Sequence, residues 1–184
     1  MAKKLATKNV TQNQLFNLLG GFGLVLTVVL LALAVAVWAG NDFATKQVRS
    51  QLVQERISFP PAGSAALDPK VYPGLQQYAG QPVDNGVKAK AYADEFILVH
   101  MMKTSEGKSY AEASTASRAN PTDLDLKKVK ESLFQGSMLR SSLLTAYAFS
   151  VLGTVAGYVY PLLLALAAVT FLLTLASFAK TRRV

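Results

Sequence analysis

Cysteine is absent from this chain of 184 residues, and histidine occurs only once. Without cysteine the chain can form no disulfide scaffold, no thiolate metal site and no cysteine nucleophile. A single histidine, His100, cannot supply the two imidazole ligands of a 2-His-1-carboxylate metal site. We interpret His100 as a buried or half-buried helix residue, and we expect neither a metal nor another cofactor.

Common catalytic and nucleotide-binding motifs are also missing, among them GxSxG, HExxH, GxGxxG and the Walker A pattern. Acidic residues come close together only as Asp94–Glu95 and as Asp123 with Asp125. Adjacent residues of a helix point to different faces, and the second pair suits the start of a helix. Neither pair is typical of a general acid and base, so we predict that the chain is not an enzyme.

Charged residues are few: they make up 16% of the chain, against about a quarter in a typical soluble domain. Hydrophobic residues make up 51%, and the mean hydropathy is +0.27, which indicates a membrane protein. The formal net charge of +8 would favour a nucleic-acid partner only if the basic residues formed one soluble face. Because six of them lie in two tails without acidic residues, we expect no such partner: Lys3, Lys4, Lys8, Lys180, Arg182 and Arg183.

Residues 18–40 form the first of two long uncharged runs. At about 1.5 Å per residue, this run is long enough to cross a hydrocarbon core of about 30 Å. The alternative is a cleavable signal peptide, since Ala34 and Ala36 imitate a cleavage site. The run exceeds the roughly 7–15 residues of a usual signal-peptide core, so we predict a retained transmembrane helix.

The second uncharged run, 141–179, is too long for one span and too short for two. Its second part, 159–179, is the better span, since tyrosines precede it and basic residues follow it. Pro161 then falls in the first turn, where its missing N–H costs little. The remaining part, 138–152, is predicted to be an apolar helix that lies outside the bilayer or only partly inside it, against protein or lipid.

The charge pattern predicts the orientation of the chain in a plasma membrane. Two spans place both tails, 1–17 and 180–184, on one side, and the positive-inside rule makes that side the cytoplasm. The connecting region, 41–158, is then extracytoplasmic. Lys46, Arg49 and Arg56 on that side weaken the pattern, but a connection of this length crosses the membrane largely regardless of its own charges.

The connecting region has the pattern of a small helical domain. Residues 42–57 continue the first span as a helix, and 58–86 are rich in proline and glycine. A helix over 87–103 begins at Asp84 or Asn85, and a shorter one covers 109–118. Thr122 with Asp125 resembles a capping box at the start of a further helix. We therefore predict an all-α membrane protein: two transmembrane helices with a small helical extracytoplasmic domain between them.

Small residues at four-residue spacing indicate where helices pack closely. One such ridge lies on the first span and consists of Ala32, Ala36 and Gly40. The other enters the second span with Gly153 and Gly157, two residues that cost helix stability unless close packing requires them.

Several short blocks resemble a family of actinobacterial two-span membrane proteins that are mostly described as uncharacterised. The blocks extend over half of the chain and are Phe59–Ala62, Gln77–Gly80, Ala91–His100, Ser117–Pro121, Leu133–Gly136, Leu139–Arg140 and Leu143–Phe149. Some members carry an automatic label as aromatic-ring-opening dioxygenases, which the single histidine of this chain does not support. The resemblance implies two spans and carries over no catalytic residues.

We expect a non-catalytic accessory subunit of a larger plasma-membrane complex, with membrane lipid and other integral membrane subunits as its partners. An electron-transport complex is one candidate assembly, and a homo-oligomer is another. The residues expected against protein or lipid are Met138, Leu139, Leu143, Leu144, Tyr147 and Phe149. The alternative is an extracytoplasmic module that encloses a hydrophobic ligand or lipid between the proline-rich segment and the 87–103 helix.

Overall fold

The computed structural model describes the backbone of residues 2–181 and the side chains of residues 12–180. The tail side chains from which the orientation is predicted, apart from Lys180, lie outside the described residues. Over the described part, the structure consists of helices without strands and contains one isolated bridge between Ser58 and Pro82. The prediction of an all-helical chain is therefore confirmed.

In the part of the chain that the structure describes, two very long helices come first and last in sequence and three short ones lie between them. They are α1 (Ala2–Gln54), α2 (Gly86–Ala91), α3 (Leu98–Ser105), α4 (Tyr110–Ala119) and α5 (Leu124–Thr181). A π-helical segment, Tyr92–Ile97, joins α2 to α3, and two 3₁₀ helices, Ala65–Leu67 and Pro73–Tyr78, interrupt the proline-rich segment. Helices α1 and α5 are both long and apolar enough to cross a membrane.

Helices α1 and α5 are much longer than a bilayer requires. With 53 and 58 residues, they measure about 80 Å and 87 Å, whereas the hydrocarbon core is about 30 Å thick. The predicted segments 138–152 and 159–179 are parts of the one helix α5. Pro161 consequently lies in the helix interior and not in a first turn. Its ring removes the hydrogen bond that residue 161 would donate to the carbonyl of Gly157.

The chain divides into two compact units. The helix-pair unit combines Met1–Asp42 with Gly153–Val184, and the central unit is Phe43–Leu152.

Within the helix-pair unit, the least exposed residues follow alternating spacings of three and four. We call these two rows the seam. The α1 row is Gly20, Gly23, Thr27, Leu30, Ala34, Val37 and Asn41, and the α5 row is Gly153, Ala156, Tyr160, Leu163, Ala167, Thr170, Thr174 and Ser177. This spacing is typical of helices that pack with the shallow crossing angle of a coiled coil.

The central unit has a hydrophobic core whose buried residues come from α1, the proline-rich segment, α2, the π-helical segment and α5. The proline-rich segment supplies Phe59, Leu67 and Leu75, each at most 2% exposed, so the prediction that this irregular chain packs is confirmed. The other buried members are Val48, Leu52, Val83, Ala89, Ala91, Ala93, Ile97 and Leu143.

Capping side chains fix where the helices of the central unit begin. Asn85 accepts a hydrogen bond from the backbone N–H of Lys88 at 3.0 Å, so Asn85 is the cap of the predicted 87–103 helix. Ser109 and Glu112 form a capping box at the start of α4. The cap predicted for α5 is wrong by one residue, because Asp123, and not Thr122, accepts the first backbone N–H groups at 2.9 and 3.0 Å.

Candidate functional site

The six residues predicted to contact protein or lipid are divided by the structure into a buried and an exposed group. Leu143 is 2% exposed and belongs to the core of the central unit, and Leu144 packs against that core. Met138 and Phe149, at 56% and 54% exposed, point away from the core, and Leu139 is also exposed. The chain itself therefore covers part of the apolar 138–152 stretch and leaves the rest uncovered.

Tyr147 is half-buried where the start of α2 meets α5. The Lys90 ammonium lies 5.6 Å from the centre of the Tyr147 ring, which is close enough for a cation–π contact. A Cβ on Gly86 would meet the side chain of Ser150 and would lie 3.3 Å from the Cα of Tyr147. A glycine at position 86 thus permits α2 to approach α5 closely.

An ion cluster also connects these elements. The Asp94 carboxylate accepts a hydrogen bond from Lys90 and another from Arg140 Nη2, the latter at 2.8 Å. The hydrogen bond from Lys90 is the main cause that lowers the pKa of Asp94 below its usual value, with Arg140 acting in the same direction and burial opposing it. The pKa of Lys90 is raised by the same hydrogen bond. The cluster therefore links α2 and the π-helical segment to α5 through charges of opposite sign.

Aromatic rings occupy the other side of the π-helical segment. Tyr92 and Phe96 have ring centres 4.8 Å apart, and Phe59 meets the ring of Tyr92 edge-on at 5.1 Å. Burial raises the pKa of the Tyr92 hydroxyl. The π-helical segment therefore carries aromatic side chains that face the core and, between them in sequence, the carboxylate that binds α5.

A groove of about 430 Å³ lies between α1 and α5 within the central unit. Its lining is entirely uncharged, and half of it is polar: Phe43, Ala44, Gln47, Val48, Gln51, Ser141, Ser142, Thr145, Ala146 and Phe149. Phe43 is 69% exposed, and Phe149 is exposed as well. Phe149 is the predicted interface residue that belongs to this groove, whereas the α1 side of the groove was not predicted.

The residues predicted for helix packing are also divided. Ala32, Ala36 and Gly40 are exposed, and a Cβ on Gly40 would meet nothing within 4 Å. They do not form the packing face between α1 and α5, because at 3.6 residues per turn they lie on nearly the opposite face of α1 from the seam residues. Gly153 is buried in the seam, and Gly157 lies beside Asn41.

The sequence analysis missed the polar contacts of the seam. Asn41 Nδ2 donates a hydrogen bond to the backbone oxygen of Gly153 at 2.7 Å. The hydroxyl oxygens of Thr27 and Thr170 lie 3.0 Å apart. The alternation of small and hydroxylated residues at spacings of three and four, a pattern visible in the sequence, would have indicated this face.

A second ion cluster joins the Asp84 carboxylate to Lys88 at 3.0 Å and to Arg49 at 4.0 Å, and the hydrogen bond from Lys88 lowers the pKa of Asp84. The other titratable groups are dispersed. His100 is exposed, so the prediction of a buried or half-buried histidine is wrong. Asp123 caps α5, and Asp125 forms an exposed ion pair with Lys128. Among the described residues, no group of three or more His, Asp or Glu side chains is arranged to hold a metal ion.

Comparison of the chain with protein-family models, with curated proteins and with solved structures yields no match.

Proposed function

We propose that this chain is a non-catalytic subunit of a larger assembly in the plasma membrane and that it docks on its partner through the groove of the central unit. The observation that carries the proposal is the uncovered apolar rim of that groove, formed by Phe43 and Phe149. Two aromatic side chains at the same groove are a larger exposed apolar surface than scattered single residues give, and such patches mark interaction sites.

The neighbourhood of the groove extends this surface. Met138 and Leu139 are exposed on α5, about three turns before Phe149 in the helix. Aromatic residues and methionine are enriched at protein interfaces, where charged residues are depleted. The groove has this composition, since none of its lining residues is charged. A partner surface of uncharged polar and apolar side chains fits it.

The proposed location rests on length, apolarity and charge. Helices α1 and α5 each include a stretch apolar enough to span a bilayer, and the basic residues of both tails favour a cytoplasmic side for both ends of the chain. The central unit is then extracytoplasmic. Because the chain has no cysteine, single-cysteine variants labelled from outside intact cells test this orientation directly.

Site-specific photo-crosslinking in native membranes tests the docking proposal. A photoreactive residue at position 149, and separately at position 138, should give one discrete adduct with the same partner. A photoreactive residue at Val87 is the matched control, because Val87 is an equally exposed apolar residue outside the groove. If no position gives an adduct and the chain purifies alone in mild detergent, the docking proposal is wrong.

A second candidate function is the binding of an uncharged amphipathic ligand such as a lipid in the same groove. Its volume of about 430 Å³ falls in the range of about 300–1,000 Å³ that is usual for ligand sites. Residues of the proline-rich segment and of the helix over 87–103, such as Leu75 and Ile97, are buried in one core, so we place the ligand in the groove instead of between these two elements. Native mass spectrometry of the purified chain would detect a retained ligand by its added mass.

A further inference from the structure

Asn41 makes a polar contact across the seam between α1 and α5. Its side-chain amide donates to the backbone oxygen of Gly153, 2.7 Å away. Gly153 is buried, and a Cβ on Gly157 would lie 3.2 Å from Asn41 Nδ2, a tighter contact than most side chains make. Two glycines one turn apart therefore form a notch in α5 that receives the Asn41 amide, and we call it the glycine notch.

A second polar contact lies further along the same seam. Thr27 and Thr170 place their hydroxyl oxygens 3.0 Å apart, and either hydroxyl can donate to the other. Each also lies within hydrogen-bond distance of a carbonyl of its own helix, at 2.8 Å from Gly23 and 2.9 Å from Ala167. Thr27 is almost completely buried, so its hydroxyl depends on these partners.

Displacement of one helix by a turn would break this arrangement in either direction. A shift of four residues one way brings Phe149 to Asn41 and Leu166 to Thr27, which removes both polar contacts. The opposite shift presents a glycine and a threonine again, at Gly157 and Thr174. It also brings Pro161 to the place that Gly157 now occupies, where any Cβ would crowd the Asn41 amide.

We propose that the glycine notch and the Thr27–Thr170 hydroxyl pair together set a single register for the antiparallel helix pair. The helix pair then has one fixed set of facing residues when the chain meets a partner. This role does not depend on the docking function, because every residue involved lies in the helix-pair unit. It assigns the two glycines of the predicted second ridge to an acceptor site for Asn41.

Cysteine crosslinking in the full-length chain tests the proposal, since the chain has no cysteine of its own. Gly20→Cys with Phe178→Cys reports the observed register, because a Cβ on Gly20 would lie 2.7 Å from the Phe178 ring. Gly20→Cys with Thr174→Cys reports the register displaced by one turn in the direction that brings Phe149 to Asn41. The measurement is the ratio of the two crosslinking rates with a short thiol-reactive linker in lipid vesicles.

We expect Asn41→Leu and Thr27→Val each to lower this ratio about threefold, the typical effect of losing one hydrogen bond between membrane helices. Thr27→Ser, which keeps the hydroxyl, should retain the wild-type ratio.

Gly40→Leu is the matched control for Gly157→Leu: it adds the same side chain where nothing lies within 4 Å, so only Gly157→Leu should lower the ratio. An unchanged ratio in Asn41→Leu and in Thr27→Val would overturn the proposal, and Thr27→Val keeps the test valid if Asn41→Leu does not fold.

Discussion

Single residues decide how closely the elements of the central unit can approach one another. Gly86 opens α2 and lies against α5, where a Cβ would overlap with the side chain of Ser150 and would also approach the backbone at Tyr147. A side-chain atom can rotate away from a new methyl group, but a backbone atom can move only if its helix moves.

We therefore predict that Gly86→Ala lowers the free energy of unfolding of the central unit by about 1–3 kcal/mol, the usual cost of adding a methyl group to a packed interior. Denaturant unfolding in detergent, followed by circular dichroism, measures the change. Gly21→Ala is the control, because a Cβ at position 21 meets nothing within 4 Å and alanine favours a helix. Equal stability of both variants would show that α2 is not held tightly against α5.

The charge on Asp94 leads to a second prediction at this scale. Because its pKa is lower in the folded chain than the usual value of about 3.9, its ion pairs stabilise the fold fully above that pH. The stabilisation is lost as the pH falls through the lower, folded-state pKa. The Arg140 pair is partly exposed, so Asp94→Asn should cost only about 1 kcal/mol at neutral pH.

Thermal unfolding midpoints of the wild type and Asp94→Asn, recorded between pH 7 and pH 3, check this prediction. The difference between the two chains should shrink as the pH falls below about 4. Glu131→Gln is the matched control, since Glu131 is exposed in the interior of α5 and its carboxylate accepts a hydrogen bond from the neutral side chain of Gln135, so the lost charge should contribute little. A difference that stays constant down to pH 3 would assign the effect to packing instead of charge.

At the scale of the elements, α1 carries two rows of small residues that look alike in the sequence, and only one of them belongs to the seam. Both rows contain alanine and glycine at helical spacing, but they lie on different faces of α1. The row with Gly20 and Gly23 faces α5, whereas the row with Ala32 and Ala36 is exposed. Periodicity can indicate that a helix has a packing face, but which side of the helix this is depends on the partner helix.

We predict that Gly23→Val disrupts the helix pair, because a Cβ at position 23 would overlap with the Thr174 hydroxyl. Ala36→Leu, a similar enlargement on the exposed row, should leave the pair intact. The rate of Gly20→Cys–Phe178→Cys crosslinking measures both effects, and we expect a loss in the first variant alone. If Ala36→Leu also lowers this rate, the exposed row takes part in pairing within the chain.

The helix over 87–103 shows where sequence reasoning stops within an element. Its start could be predicted, because Asn85 is a strong N-cap residue and is the observed cap. The π-helical segment Tyr92–Ile97 could not be predicted, because helical periodicity assumes a constant 3.6 residues per turn. The contacts around the irregular turn, Asp94 with Arg140 and Tyr92 with Phe59, join residues far apart in sequence.

At the scale of the whole molecule, the second uncharged run, 141–179, is longer than one transmembrane span needs to be. The structure explains part of this excess, because α5 continues without a break and its Leu143 side chain is buried in the core of the central unit. Composition could reveal the excess of apolar residues but not which of them the chain covers itself. That division depends on the proline-rich segment and α2, whose packing against α5 is set by contacts distant in sequence.

The same division yields a prediction for the assembly. Leu143→Ala removes a fully buried side chain and should lower the free energy of unfolding by about 2–5 kcal/mol. Phe149→Ser changes an exposed side chain of similar hydrophobicity in the same helix, so the free energy of unfolding should change by no more than about 0.5 kcal/mol. If the groove is the docking surface, Phe149→Ser should nevertheless lose the partner.

Quantitative co-purification from native membranes, together with unfolding of the purified chains, separates these effects. Phe149→Ser should be as stable as the wild type but should recover at least about fivefold less partner, since truncation of a hot-spot residue in an interface costs more than about 1 kcal/mol. Val87→Ser is the control for loss of an exposed apolar residue elsewhere in the central unit. Retention of the partner by Phe149→Ser and by Phe43→Ser would mean that the groove is not the docking surface, because these two rings supply its exposed apolar rim.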